Sequence, residues 1–216
     1  MKKILFAVLL ACLVMNGHAQ ESEKYKKAKA KIKTQEGYVI DSLGNTITGL
    51  IVDSDGKPAG RVSIMVPTGE TLKYAPKEAK EYGFAFYRFI STGEQFLQVL
   101  FENKKVGIYK DIETIRHYTD ANGTTTSFSN RTPVYSSQPS GGLPGVTTQE
   151  IERLYIHRPG EADYKKVTKI IFAKSMSEYF VDCSTLSQKI KNKEYRAREE
   201  DLREIASFYD RECTQQ

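Results

Sequence analysis

The sequence predicts an α+β fold: an antiparallel β-rich body, either a meander or a partly open barrel, followed by a C-terminal segment of three helices. Two patterns indicate this class. Between residues 37 and 120, short runs of β-branched and aromatic residues alternate with turn signals such as Thr68-Gly69 and Thr92-Gly93. From residue 170 to residue 216, apolar residues recur at helical spacing. We therefore expect a β-rich part and a helical part.

The most apolar strands are expected at the centre of the sheet. Tyr82 to Ile90 and Phe96 to Phe101 carry apolar or aromatic side chains at nearly every position. Strands of this composition are typical of positions that are buried on both faces.

Three amphipathic stripes predict the three helices. Glu199, Glu200 and Asp201 fit the first turn of the third helix, where their charge complements the helix dipole. The apolar positions are Phe172, Met176, Tyr179 and Phe180 in the first helix, Leu186 and Ile190 in the second, and Leu202, Ile205, Ala206, Tyr209 and Cys213 in the third. We interpret these stripes as core packing rather than as a ligand site.

Residues 1–19 have the pattern of a secretory signal peptide. Lys2 and Lys3 precede an apolar run, and a small residue, Ala19, stands at the expected cleavage site. Lipid attachment at Cys12 is the alternative. No later segment has the length and apolar character of a membrane-spanning helix. The sequence therefore predicts an exported protein, either periplasmic, associated with the outer membrane, or extracellular.

The two cysteines that remain after cleavage are expected to form a disulfide. Cys183 and Cys213 bracket the last two helical stripes. An even number of cysteines in an oxidising compartment favours pairing. Closing a loop of this length contributes roughly 3 to 4 kcal/mol in the chain-entropy description.

Three further segments complete the predicted organisation. Residues 20–36 are lysine-rich and predict a charged, mobile tether. More than half of residues 121–150 are Gly, Ser, Thr or Pro, which predicts a linker. Residues 151–169 contain two short β-type runs around Pro159-Gly160 and predict a hairpin.

The charge balance argues against a nucleic-acid-binding role. The full chain has a formal charge of +5, and loss of Lys2 and Lys3 lowers it to +3. No basic stripe is interleaved with stacking aromatic residues on a recognisable module. An envelope protein or a polysaccharide is the more plausible partner for an exported chain of this composition.

Catalytic, metal and cofactor motifs are missing from the sequence, so we predict no cofactor, no metal and no catalytic residue. Asp53-Ser-Asp55-Gly56 resembles the start of a calcium loop, but Ile64 stands where the bidentate glutamate belongs. We interpret it as a hairpin turn. The alternative to a binding protein is a small periplasmic hydrolase that uses His117 or His157 as its general base.

A binding protein would need an exposed surface, and the central strands offer aromatic candidates. Tyr82, Tyr87 and Tyr109 supply rigid aromatic area, and Arg88 supplies a neighbouring charge. We hypothesise that these four residues contribute to a binding surface on an outward face of the sheet.

The C-terminal motif resembles a family of exported proteins of Gram-negative bacteria that has no assigned function. It is carried by Ser177-Glu-Tyr-Phe-Val-Asp-Cys183, by Lys189-Ile-Lys-Asn-Lys-Glu-Tyr195 and by Ile205 to Tyr209, and Gly37-Tyr-Val-Ile matches further upstream. The resemblance covers most of the mature chain outside residues 121–150. It implies an export signal, a β-rich body and a helical C-terminus, and it implies no catalytic residue.

A second, local resemblance is to the opening of carboxypeptidase regulatory-like β-sandwich modules. It spans Ile47 to Ile64 and includes the Asp55-Gly56 turn. The continuation Thr-Asp-x-x-Gly-x-Phe of those modules is missing. Such a module is therefore a minor alternative to the fold described above.

Overall fold

The strands and helices follow the predicted order, β-rich first and helical last. The computed structural model describes residues 21–31, 34–52, 60–129, 136–139 and 145–213. The helices are α1 (Glu23–Lys29), α2 (Phe172–Tyr179), α3 (Ser184–Lys191) and α4 (Glu199–Glu212). The strands are β1 (Thr34–Asp41), β2 (Thr46–Val52), β3 (Val62–Met65), β4 (Thr71–Tyr74), β5 (Ala79–Phe84), β6 (Tyr87–Ser91), β7 (Phe96–Glu102), β8 (Gly107–Thr119), β9 (Thr124–Ser129), β10 (Ser136–Pro139), β11 (Gly145–His157) and β12 (Lys165–Lys166).

The twelve strands form one open antiparallel sheet. Along its main path the order is β10-β9-β8-β7-β6-β5-β1-β2-β3-β4, and β11 pairs with β8 and β12. The predicted α+β class is confirmed, with a sheet that does not close. β2 and β3 belong to this sheet, and the proposed Asp55-Gly56 turn between them lies outside the described residues.

The predicted central strand from Tyr82 to Ile90 is in fact a hairpin. β5 and β6 pair antiparallel with Phe84 opposite Tyr87, so Ala85 and Phe86 form the turn. Ala85 has a φ of 49°, a left-handed conformation that usually belongs to Gly or Asn. Because neither residue type is present, the sequence carries no sign of the turn.

The segment predicted as a linker contains strands. β9, β10 and the first residues of β11 lie within residues 121–150. β8 pairs with β11 along its full length, while β7 and β9 share its other edge. The far half of β8 therefore joins β9, β10 and β11 in an extension, which we call the β-arm (residues 113–129, 136–139 and 145–151). Threonine is favoured in strands because of its β-branched side chain, which explains how this polar segment forms a sheet.

The segment predicted as a charged tether also contains structure. Ser22 Oγ accepts a hydrogen bond of 3.2 Å from the Tyr25 amide and caps α1. Tyr25 and Ala28 are buried against Leu50 and Met65. Two apolar side chains on one helix face are therefore enough to dock a lysine-rich segment on the sheet.

The predicted hairpin of residues 151–169 is present as β11 and β12, which pair through Tyr155–Lys166 and Ile156–Lys165. However, β11 begins at Gly145, and its main partner is β8.

The C-terminal helices pack on one face of the sheet, which we call the core face. Val39, Tyr82 and Phe89 are register partners on one face and are almost completely buried. Ile108 and Ile156 continue this core face and join the apolar cluster made by the C-terminal helices. The opposite, outer face carries the alternate residues, because successive strand side chains point to opposite faces.

The predicted helical segment and its disulfide are confirmed by the structure. Phe180, Leu186 and Ile205 are buried in one cluster with the sheet, as the stripes predicted. Cys183 precedes α3 and Cys213 follows α4, with their Cα atoms 5.3 Å apart. α4 is longer than α3, and the connection through residues 192–198 takes up the difference.

Candidate functional site

The four residues of the hypothesised binding surface do not lie on one surface. Tyr82 is only 1% exposed in the core, and Tyr109 is only 2% exposed on the outer face. Tyr87 is 39% exposed but belongs to the core face, whereas its neighbour Arg88 belongs to the outer face. The hypothesis is therefore wrong as stated. Odd and even positions of the segment from Tyr82 to Ile90 are both apolar, so the sequence did not indicate which face of the sheet each residue occupies.

Arg88 and Tyr109 instead belong to a hydrogen-bonded network across β1, β5, β6, β7 and β8, which we call the outer-face row. Tyr38 donates to Glu81 over 2.5 Å, and Arg88 Nε lies 3.2 Å from the other Glu81 oxygen. Arg88 also donates to Glu102, which accepts a 2.9 Å hydrogen bond from Tyr109. The one cation of the row, Arg88, is thus shared by two carboxylates, and each carboxylate also accepts a hydrogen bond from a tyrosine.

Two glycines make room for the tyrosines of the row. A Cβ atom at Gly83 would lie 2.8 Å from a ring carbon of Tyr38, and one at Gly107 would lie 2.1 Å from the Tyr109 hydroxyl oxygen. Burial and the hydrogen bond to Glu81 raise the pKa of Tyr38 to about 12. Burial, followed by the bond to Glu102, raises the pKa of Tyr109 as well. Both hydroxyls are therefore donors at neutral pH, and the row functions as a structural brace.

The two histidines of the hydrolase alternative lie far apart along β8 and β11. His157 stacks on Tyr164 with 4.3 Å between ring centroids, and its Nε2 lies 2.9 Å from the Glu161 carbonyl oxygen. His117 Nδ1 lies 2.7 Å from Ser127 Oγ. Since these two residues are register partners on the β-arm, strand pairing alone accounts for the contact.

No group of three or more His, Cys, Asp or Glu side chains that could hold a metal occurs within the residues the structure describes. The segment containing Asp53 and Asp55, which resembles part of a calcium loop, lies outside those residues.

Arg158 is a residue whose environment the sequence did not suggest. Its guanidinium carbon lies 4.6 Å from the ring centroid of Tyr179, 4.9 Å from that of Phe180 and 4.7 Å from that of Tyr209. Asp182 accepts hydrogen bonds from both Arg158 and Tyr209. Although burial favours its neutral form, these bonds keep the pKa of Asp182 below its ordinary value. The arrangement fastens the β11–β12 turn to the helices beside the disulfide.

A groove at the junction of α2 with the α3–α4 connection is the candidate site, and we call it the basic groove. Its volume is about 530 Å³, within the range of small-molecule sites. Phe172 and Tyr195, 5% and 7% exposed, supply buried apolar surface. Among the described residues, the lining consists of Lys169, Ile170, Phe172, Ala173, Lys193, Tyr195, Arg196, Ala197 and Arg198.

Hydrogen bonds and turns position the two segments that form the basic groove, residues 169–173 and 193–198. Just before the first segment, the Val167 amide donates to the Leu154 carbonyl on β11 over 2.8 Å. In the second segment, Lys193 has a φ of 62°, which ends α3 in the left-handed conformation. The Arg196 amide then donates to Asp201 Oδ2 over 2.6 Å at the start of α4. The rim of the groove is therefore set by turns on both sides.

The basic groove concentrates positive charge. Lys169, Lys193, Arg196 and Arg198 are exposed, and none of the described residues in the lining is a carboxylate. In the part of the chain that the structure describes, no carboxylate lies within 4.0 Å of any of these four cations. Such a site can pair with an anionic group while its apolar surface contacts a hydrocarbon portion of the same ligand.

An adjoining groove of about 710 Å³ shares Lys169, Ile170, Ala197 and Arg198 with the basic groove. Its lining also contains Glu152, Glu199 and Glu200, so its charge is mixed. We therefore place the anionic part of a ligand in the basic groove.

Sequence reasoning missed the basic groove. Its two segments, residues 169–173 and 193–198, are far apart in the sequence, and the structure brings them together through the helical core. The one local signal is the basic run of Lys193, Arg196 and Arg198 between two helical stripes.

The comparisons with known proteins give this site no precedent. No protein-family model matches the chain, and no curated protein or solved structure is significantly similar to it. Among the described residues, no helix combines the length and the apolar character needed to cross a membrane.

Proposed function

We propose that the protein is an exported, non-enzymatic binding module that holds an anionic amphiphile in the basic groove. The observation that carries the proposal is the gathering of Lys169, Lys193, Arg196 and Arg198 around apolar surface, with no carboxylate among the described lining residues. The signal-peptide pattern of residues 1–19 and the disulfide support export.

The charge arrangement favours a ligand over a role in folding. Like charges held close together repel one another and lower the stability of the folded protein. A bound anion removes that repulsion, because it forms charge-assisted hydrogen bonds with several cations at once. The side chains of Ile170 and Ala173, with the exposed edges of Phe172 and Tyr195, offer a hydrocarbon chain a surface that water solvates poorly.

Dodecyl phosphate, kept below its micelle concentration, tests the proposal by isothermal titration calorimetry. We expect saturable binding to the purified protein, and much weaker binding of inorganic phosphate or of the neutral detergent dodecyl maltoside. Replacing Lys169 and Arg198 together by Gln should weaken binding by roughly tenfold or more, since each removes a charged hydrogen-bond donor. Ala173→Trp should block the site by filling it.

The matched control removes two exposed lysines outside the lining, Lys77→Gln with Lys104→Gln. It changes the net charge equally and should leave the affinity unchanged. Equal weakening by the control pair would show that only net charge matters, and tight binding of inorganic phosphate would overturn the amphiphile assignment.

A hydrolase is the second candidate, and the contact between His117 and Ser127 is the observation that favours it. A chromogenic ester assay separates the two functions. The binding proposal expects the wild-type protein to match a variant carrying both His117→Gln and Ser127→Ala. Turnover that only the wild-type protein supports would favour the hydrolase.

A further inference from the structure

Two consecutive isoleucines project from the molecule beside the basic groove. Ile170 is 95% exposed and Ile171 is 52% exposed. They directly precede α2, and Ile170 lines both the basic groove and the adjoining one. Isolated apolar side chains are common on protein surfaces, but a projecting pair next to a ligand-sized groove points to a contact partner.

The surroundings of this isoleucine pair are strongly basic. Two further exposed lysines, Lys166 and Lys174, flank the pair within the same stretch of chain as Lys169. For the described residues, no carboxylate within 4.0 Å accompanies either lysine. Apolar side chains at the centre of a basic surface are the combination that binds anionic lipid interfaces, where hydrocarbon and negative charge occur together.

Two carboxylates of the adjoining groove are engaged by other cations. Of the three glutamates that line the adjoining groove, Glu199 lies 3.7 Å from Lys110 and 2.8 Å from Arg203, and Glu152 lies 4.0 Å from Lys110. Both are therefore engaged by cations other than those of the basic groove. The surface that Ile170 shares with Lys166, Lys169 and Lys174 keeps its positive character.

We infer that the protein docks on an anionic lipid bilayer through Ile170, Ile171 and the surrounding lysines, so that the basic groove opens at the lipid surface. The inference rests on the proposed function, because docking places the groove where an amphiphile can enter from the bilayer. The side chains of Ile170 and Ile171 enter the interface, while Lys166, Lys169 and Lys174 face the anionic headgroups.

Vesicle co-sedimentation tests the inference. We expect the purified protein to bind vesicles of phosphatidylcholine mixed with phosphatidylglycerol and not vesicles of phosphatidylcholine alone. Added salt should weaken binding, because the headgroup contacts are screened. Ile170→Ser combined with Ile171→Ser should weaken vesicle binding by roughly tenfold, since it removes the inserted apolar surface. The matched control is Leu43→Ser with Val181→Ser, two exposed apolar residues elsewhere, which should bind as the wild type does.

A variant outside the groove separates failure of the inference from failure of the proposed function. Ile171→Ser combined with Lys174→Gln changes two docking residues that do not line the basic groove, so it should weaken vesicle binding but leave the affinity for soluble dodecyl phosphate unchanged. Binding of dodecyl phosphate by the wild-type protein without any vesicle binding would overturn bilayer docking and leave the amphiphile site intact. Sedimentation velocity tests whether a second copy of the chain, rather than a bilayer, contacts the isoleucine pair. A dimer that becomes monomeric when Ile170 and Ile171 are replaced would also overturn the inference.

Discussion

The outer-face row and the basic groove both combine aromatic and charged side chains, but they use charge in opposite ways. In the row, Arg88 lies between Glu81 and Glu102, and tyrosine hydroxyls complete the network. The described residues that line the groove include four cations and no carboxylate. Paired charges with matched hydrogen bonds brace a sheet, whereas gathered like charges weaken the fold unless a ligand neutralises them. The comparison indicates that the paired network is structural. It supports our proposal that the groove cations, which have no carboxylate partner among the described residues, mark the binding site.

The largest expected contrast is in folding stability. Arg88→Gln leaves Glu81 and Glu102 close together without their shared cation and should lower the free energy of unfolding by roughly 1 to 2 kcal/mol. Arg198→Gln in the groove should change it by less than about 0.5 kcal/mol, with relief of repulsion as the favourable component. Urea unfolding measures both. Equal losses would contradict the distinction between brace and site.

The structural role of the row also predicts a dependence on alkaline pH. Tyr38 ionises near 10.0 when unfolded but at about 12 in the folded protein, because of burial and its bond to Glu81. A raised tyrosine pKa stabilises the folded state below pH 10, and this contribution is lost as the pH rises from 10 to 12. Tyr38→Phe should cost roughly 1 kcal/mol at neutral pH through the lost hydrogen bond.

Chemical denaturation at several pH values between 8 and 12 checks this expectation, a window set by the ordinary and shifted pKa of Tyr38. The decline of stability with pH should be shallower in Tyr38→Phe than in the wild type. Glu81→Gln should show part of the same flattening, since the Glu81 carboxylate contributes to the shift. A slope identical in all three proteins would show that Tyr38 does not contribute.

The smallest expected effect is that of replacing Lys193, where folding stability and ligand binding should change in opposite directions. Lys193 holds a left-handed backbone conformation with a φ of 62°. Glycine adopts this conformation without steric cost, so Lys193→Gly should raise the free energy of unfolding by roughly 0.5 kcal/mol. The same change removes one groove cation and should weaken dodecyl phosphate binding several-fold. Loss of both stability and binding would indicate that the lysine braces the turn.

The sequence correctly predicted the elements whose buried residues recur at the regular spacing of a helix. Phe172, Met176 and Phe180 follow helical spacing because one face of α2 is buried, and each lies in the core. The pairing of Cys183 with Cys213 followed from compartment and count, and the antiparallel helices bring the two cysteines together. Local periodicity is sufficient where a single face of an element meets the core.

The elements that the sequence did not predict depend on information that no local pattern contains. β9 is polar except for Phe128 and has no fully buried residue, so its stability comes mainly from pairing with β8 and β10. The β5–β6 turn lacks a glycine or asparagine, which left Ala85 and Phe86 inside an apparently continuous strand. The basic groove needs segments around residues 169–173 and 193–198 to meet, and only tertiary packing brings them together.

The most direct test of the central claim is to locate the ligand by nuclear magnetic resonance. Titrating isotope-labelled protein with dodecyl phosphate should shift the amide resonances of Lys169 to Ala173 and of Lys193 to Arg198, and should leave those of Tyr38, Glu81 and Arg88 unchanged. That result would place the ligand at the unpaired cations. Shifts confined to the outer-face row or the β-arm, with the groove resonances unmoved, would contradict the assignment of the basic groove as the functional site.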